Sequence, residues 1–438
     1  MILAVFLPFA AGYYLAFLFR TINAAISPAL ASEFGLDAAK IGLMTSVYFL
    51  VLAGAQIPIG AFLDRFGPRR VQSVLLVMAA GGASLFGTAA GFSDLLVGRA
   101  LIGLGVAASL MAGLKATVIW FPKERIALVN GCMIMVGSLG AVTATAPTDW
   151  MLEWVGWRSL FELLTLATVT IAGVVYFAVP EKETNSAIST ISGKPPTVWS
   201  VFSDARFMRI APLSAACIGS SWALQSLWAA VWLTDIEGLD RRSLMTQLFV
   251  MALELSLGAL LLGIMADRLR KRGITAEVLL AAIGGLFIVA ELTLILRVPI
   301  PSLVPWCVVS VMGAATVLSY AMIADYFPKE LAARANGALN LLHFSSAFAI
   351  QYGIGLVVGQ WLPQDGHYPA MAYQVAFGLS ASLPAVALLW FALPWLRSSS
   401  RYLYASFTRP SAEREGQAEF AMVPVDGPIL DAHEATEW

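Results

Sequence analysis

Gly60-Ala61-Phe62-Leu63-Asp64-Arg65 lies between two long apolar runs, and 203 residues later the pattern returns as Gly263-Ile264-Met265-Ala266-Asp267-Arg268. A second stretch behaves the same way: Phe121-Pro122-Lys123-Glu124 recurs 206 residues on as Phe327-Pro328-Lys329-Glu330. In both copies of the latter an Ala follows at offset six (Ala127, Ala333) and an Asn-Gly at offset nine (Asn130-Gly131, Asn336-Gly337). Matched order at a nearly constant offset marks a duplicated unit, here one of six apolar segments.

Composition says where those segments reside. Of 438 residues, 59% are apolar and 13% charged, and the mean hydropathy is +0.77. A soluble domain carries about 25% charged residues, so the apolar surplus must face lipid. The net charge of −1 offers no basic surface for nucleic acid. Cys132, Cys217 and Cys307 are far apart inside apolar segments, which suits buried thiols rather than disulfides or a metal site. The opening Met1-Ile2-Leu3-Ala4-Val5-Phe6-Leu7 runs directly into an apolar stretch too long for a signal peptide. It reads as a first membrane helix, and its missing basic flank points to a natural start upstream of Met1.

A bilayer core about 30 Å thick needs roughly 20 helical residues. On that ruler helices fall near 2–31, 38–62, 70–91, 94–120, 125–148 and 157–179, then near 207–235, 243–266, 275–297, 302–326, 331–358 and 369–396. The expected organisation is a six-helix bundle over 1–179, a polar cytoplasmic linker over 180–206, a second bundle over 207–397 and an acidic, disordered tail over 398–438. With both termini inside, nineteen Lys and Arg fall on the cytoplasmic side and five (Lys40, Arg158, Arg241, Arg242, Arg297) outside, while Arg20, Arg99 and Lys115 lie within helices. Basic residues concentrate on cytoplasmic loops, so this orientation is the expected one, in the inner or plasma membrane.

The stretch from Gly60 to Arg70 resembles the loop signature of the major facilitator superfamily, and Gly263 to Gly273 resembles its second copy. The resemblance implies an all-α integral membrane fold, with twelve transmembrane helices in two pseudo-symmetric six-helix bundles around a central cavity. It also implies a gating role for Asp64, Arg65, Arg69, Asp267 and Arg268: the carboxylates face a helix N-terminus while the arginines pair with acids or lipid phosphate. The alternative is a positive-inside loop with an incidental acid. Leu96 to Gly105 resembles the superfamily's fourth-helix pattern, an Arg followed by small residues that allow close helix contact. Arg99 there either serves coupling or gating or snorkels to the outer surface, since an unpaired charge within a span costs roughly 2.5–3.5 kcal/mol. Gly103-Leu104-Gly105 only imitates a dinucleotide fingerprint, because no strand precedes it. No Walker motif is present, and neither nucleotide nor cofactor is expected.

Tyr14 to Asn23 with Pro28 looks like the anion:cation symporter branch, in which an Arg-x-x-Asn element of helix one belongs to the anion site. Arg20, Asn23 and Ser27 share one helix face, and a guanidinium fork suits a carboxylate. The alternative is an Arg paired with an acid elsewhere. Phe19 stands where many of that branch carry an acid, and Val106 to Ala108 lack another, so the branch's proton relay does not transfer. Helix seven offers Gln225 and Trp228 for a cavity, or for packing; helix eleven offers Asn340, His343 and Gln351. His343 takes a proton, contacts the anion or holds two helices together. Glu254, mid-way along helix eight, is the first candidate for proton coupling, with a fixed ion pair as the alternative. Glu162 and Glu291 lie on helices that the superfamily keeps outside its cavity and rank lower. Lys115 snorkels at the inner end or serves the cavity.

The function expected is therefore secondary transport of a small carboxylate-type organic anion by alternating access, coupled to protons. The alternatives are a proton-driven multidrug or metabolite exporter, a nitrate/nitrite transporter and a non-transporting sensor. Gly137-Ser138-Leu139-Gly140 lacks the Gly-Pro pair of exporters, and helix seven lacks a second cavity Arg for nitrate. The expected partners are the small molecule, protons and the lipid bilayer. An enzyme is not expected, since the spans hold no nucleophile–base pair or metal cluster.

Overall fold

A backbone in hydrocarbon must satisfy its own hydrogen bonds, and a helix does so within one segment. The computed structural model describes residues 2–181 and 198–408, and they are helical apart from short connections and a lone bridge between Gln364 and His367. The first membrane segment is a π turn, Ile2–Phe6, followed by α1 (Leu7–Thr21) and α2 (Asn23–Phe34). The second and third form α3 (Ala38–Gly87), the fourth α4 (Phe92–Val106) with α5 (Ser109–Trp120), the fifth α6 (Ile126–Thr143) and the sixth α7 (Ala146–Ala178). After the short α8 (Val198–Phe202), the seventh comprises α9 (Ala205–Ala223), a π turn Leu224–Trp228 and α10 (Ala229–Asp235). Then come α11 (Arg241–Arg270), α12 (Ala276–Ile295), α13 (Leu303–Ala314) with α14 (Thr316–Tyr326), α15 (Lys329–Val358) and α16 (Ala370–Thr408).

The interruptions are not scattered. The first segment breaks at Ile22, the fourth at Ala107–Ala108, the seventh at its π turn and the tenth at Ala315. The breaks in the first and fourth segments thus have counterparts in the seventh and tenth, which is the duplication seen in the loops, now expressed in backbone geometry.

Two connections differ from expectation. The 60–70 stretch is not an open loop: helix continues through it, turned at Gly67, whose φ of 76° only glycine adopts without strain. The last helix runs to Thr408, beyond residue 398 where the tail was expected to begin, and no Pro or Gly lies between Pro394 and Pro410 to end it earlier. Part of the expected linker is also ordered: Val201 of α8 packs into a core with Phe207, Ile323 and Leu339, and Asp204 caps α9. The remaining linker positions 182–197 and the tail from 409 lie outside the described residues.

Two compact units emerge. Met1–Phe391 is one; Ala392–Trp438 is the other, represented by the end of α16. For the domains we propose the boundaries of the repeat, 1–179 and 207–397.

Small residues set the helix spacing. Three of the four glycines of the fourth segment, Gly98, Gly103 and Gly105, lie against backbone of α3, with a Cβ at Gly105 falling 2.3 Å from the Ala79 nitrogen. Side chains at the periphery, such as Leu166 and Leu389, remain 65% and 63% exposed, as lipid-facing residues must. Gly105→Ala is expected to cost about 1–3 kcal/mol by overpacking and to lower the thermal midpoint in detergent. Gly54→Ala, where a Cβ meets nothing within 4 Å, is expected to leave it unchanged.

Candidate functional site

The first break places the central charge. Asn23 donates its side-chain amide to the Arg20 carbonyl at 3.2 Å, and Ser27 donates to the Asn23 carbonyl, so both support the backbone around Ile22. Arg20 itself is 8% exposed. Its guanidinium carbon lies 4.1 Å from the Phe17 ring centre and 5.2 Å from that of Trp222 in α9, and such faces attract cations. Among the described residues no carboxylate pairs with it and no carbonyl accepts from it. The fixed ion pair that was the alternative for Arg20 does not form.

Arg20 borders a central cavity of about 1040 Å³, counted with the solvent-continuous space at its mouth. Its walls come from both sets of six segments: Tyr13 and Phe17 of α1, Tyr48 and Gln56 of α3, Met111 of α5, Trp222 of α9, Tyr320 of α14 and Asn340 of α15. Tyr13, Tyr48 and Tyr320 stand within electrostatic reach of the guanidinium. Of the substrate candidates from the sequence, Arg20 and Asn340 line this cavity. Asn340 accepts a hydrogen bond from the Tyr320 hydroxyl.

The others hold helices together. Trp228 donates its indole N–H to the Gln351 carbonyl at 3.1 Å, Ser226 donates to Gln351 Oε1 at 2.8 Å, and Gln225 is buried beside them in the π turn. That turn carries an extra residue and rotates the positions after it away from the face that Trp222 presents, a shift regular periodicity does not foresee. His343 meets Ser214 of α9. The Ser214 hydroxyl donates to Ser319 Oγ at 2.7 Å, so its oxygen accepts from His343 Nε2 at 2.8 Å, and Nδ1 is left without a partner.

Arg99 does not snorkel. It is fully buried, donates Nη2 to the Phe19 carbonyl at 2.8 Å and leaves Nε and Nη1 without partners. It therefore supports the backbone next to Arg20. Glu254 is half-buried, faces the Cys307 thiol and keeps one oxygen unpartnered. Glu291, ranked low from sequence, is fully buried in α12 with neither oxygen bonded. The signal was present, since it is a lone acid within an apolar run.

On the predicted cytoplasmic side, Asp64 pairs with Lys115 at 2.6 Å, and Arg70 and Arg69 both meet Glu181. Arg65 lies over Phe66, Arg268 is exposed, and the Asp267 side chain lies outside the described residues. On the side predicted to face outward, the contacts join the two sets of segments. Arg241 of α11 donates Nε to Asp149 at 2.7 Å and Nη2 to the Ala25 carbonyl at 2.9 Å. The Tyr368 hydroxyl accepts from the Ala38 N–H at 3.1 Å, while Asp235 gathers His367 Nδ1, the Tyr368 N–H and the Tyr373 hydroxyl. Nearby, α3 and α15 cross where Gly42 meets Gly355, against the Trp228 ring.

Comparison with known proteins gives this geometry a context. Residues 9–350 match the family model described as Major Facilitator Superfamily. A nitrate/nitrite transporter of Picosynechococcus is 35% identical over 112 residues, 26% of this chain and 21% of that one, so the chain matches about a fifth of that relative's length. The hexuronate transporter of Escherichia coli K12 is 22% identical over 400 residues, 85% of this chain and 90% of that protein. A bacterial homologue of the human lysosomal transporter Spinster, solved in an inward-facing, unoccupied conformation, matches with a TM-score of 0.70 at 17% identity, covering 89% of this chain and 95% of that one.

The outer contacts make a testable element. With Ala31→Cys introduced in the outer recess that it lines beside Asp235, Arg241→Gln is expected to raise labelling by a membrane-impermeant maleimide roughly threefold to tenfold, by shifting population toward an outward-open form. An unchanged rate would mean that these contacts do not hold the outer side shut.

Proposed function

The chain belongs to the major facilitator superfamily, and we propose that it is a secondary active transporter of a small organic anion, coupled to protons. One observation carries the reading: a buried guanidinium facing the central cavity with no acid among the described residues to neutralise it. A cation in that position favours an arriving anion, and a carboxylate matches its paired N–H groups. Relatives named for hexuronate and for nitrate/nitrite transport support an anionic substrate.

In this reading Arg20 anchors the charge and Asn340 contacts the substrate from the opposite set of segments. The proton belongs to Glu254, which has an unpartnered oxygen on α11, the helix that also supplies Leu255 and Ala259 to the cavity wall. Arg99 and His343 position neighbouring backbone and hydroxyl groups. The outer contacts of Arg241 and Tyr368 favour a form open toward the cytoplasm, and Asp64, Arg65, Arg69, Asp267 and Arg268 act when that side closes. Both termini are cytoplasmic.

The experiment is proton flux in proteoliposomes loaded with a pH-sensitive dye, challenged with small carboxylates, phosphate esters, nitrate and lipophilic cations. A charge-assisted contact of roughly 1.5–3 kcal/mol corresponds to a tenfold or greater loss of anion-dependent acidification in Arg20→Gln. A response confined to lipophilic cations and indifferent to Arg20 would sink the anion reading and support an exporter.

A further inference from the structure

The cavity holds one permanent charge and few other donors that a substrate could use. Tyr48 donates its hydroxyl to the Ala16 carbonyl at 2.8 Å, and Ser138 and Thr316 donate theirs to Met135 and Gly313 at 2.8 and 3.2 Å. Gln56 commits an amide hydrogen to Leu52 at 3.1 Å, and Tyr320 commits its hydroxyl to Asn340. Among the described residues, the donors left without a partner are the Arg20 guanidinium, the Tyr13 hydroxyl, the Asn340 amide nitrogen and the Trp222 indole N–H. The surrounding wall is aromatic and aliphatic. Trp222 and Phe344 form a shelf with ring centres 5.2 Å apart and planes tilted by 35°, and Trp222 also lies under the guanidinium.

From this arrangement we propose that the transported anion is a monocarboxylate with a flat, apolar body: the carboxylate sits on Arg20 and the body lies against Trp222 and Phe344. The inference rests on the anion reading and narrows it. An aromatic body gains from burial and from ring contacts. A sugar acid would bring several hydroxyls to a wall that, beyond Arg20, offers them chiefly the Tyr13 hydroxyl, the Asn340 amide and the Trp222 indole, and stranded polar groups are costly. A dianion would bury a second charge with no cation to meet it. Nitrate has no apolar body to lie against the shelf.

The test is a binding series on the purified wild-type protein, followed by thermal shift and by tryptophan fluorescence. The probes are benzoate, phenylacetate, glucuronate, phthalate, nitrate and the neutral benzamide. Benzoate and phenylacetate are expected to bind at least roughly tenfold more tightly than glucuronate, phthalate or nitrate, with no binding of benzamide. Trp222→Leu should erase most of the aromatic preference, whereas Arg20→Gln should erase binding of every carboxylate. Glucuronate or nitrate binding more tightly than benzoate, and depending on Arg20, would overturn this inference and leave the anion reading standing. Benzamide binding as well as benzoate, with Arg20→Gln indifferent, would overturn both, as would no response to any anion. The series on the unmodified protein decides the point even where a variant fails to fold.

Discussion

Arg20 carries its charge into the interior of a membrane protein, and no acid of the described chain neutralises it. Much of the central architecture is arranged around that constraint. Phe17 and Trp222 lend their faces to the guanidinium, and the cavity admits water to it. The adjoining backbone is secured from two sides, since Asn23 donates to the Arg20 carbonyl and Arg99 to that of Phe19. On the anion reading proposed above, a fixed internal partner would make the charge more stable at the expense of binding, because an anion would then have to displace an acid.

The same economy of partners separates the features legible in the sequence from those that were not. The segment count, the duplicated halves and the tight fourth helix all rest on strong contrasts: charge against apolar runs, or glycine against bulk. Arg20 and Asn340 stood out for the same reason. Tyr13, Phe17 and Trp222 did not, because an aromatic residue in an apolar helix has no contrast with its surroundings. Tyr13 and Phe17 do fall on the Arg20 face at offsets of seven and three, a pattern that could have been used. For Gln225 and Trp228 the spacing was regular while the backbone was not, and the π turn redirected them. On α15, cavity-facing Asn340 and helix-packing His343 are three residues apart, closer than a periodicity argument resolves.

Polar groups outside the cavity obey a different logic. The Ser214–Ser319–His343 chain joins three helices by hydrogen bonds that lipid cannot compete for. Asp235 draws the connection after α15 onto the end of α10 through His367 and the Tyr368 N–H, and α16 through the Tyr373 hydroxyl. These sites stabilise particular arrangements of helices, and a histidine or acid inside a span is therefore no guide by itself to where chemistry happens.

The four interrupted helices have a mechanical consequence. Their breaks at Ile22, Ala107–Ala108, the Leu224–Trp228 turn and Ala315 divide each segment into an upper and a lower part near the level of the cavity. A helix with a continuous ladder of hydrogen bonds tilts as one rod, so opening below entails closing above. A rod with a joint in the middle can bend one arm while the other stays in place. In the transport cycle proposed above, such joints let the two sides of the cavity close in succession, which gives a route through an occluded intermediate with cargo enclosed from both aqueous phases at once.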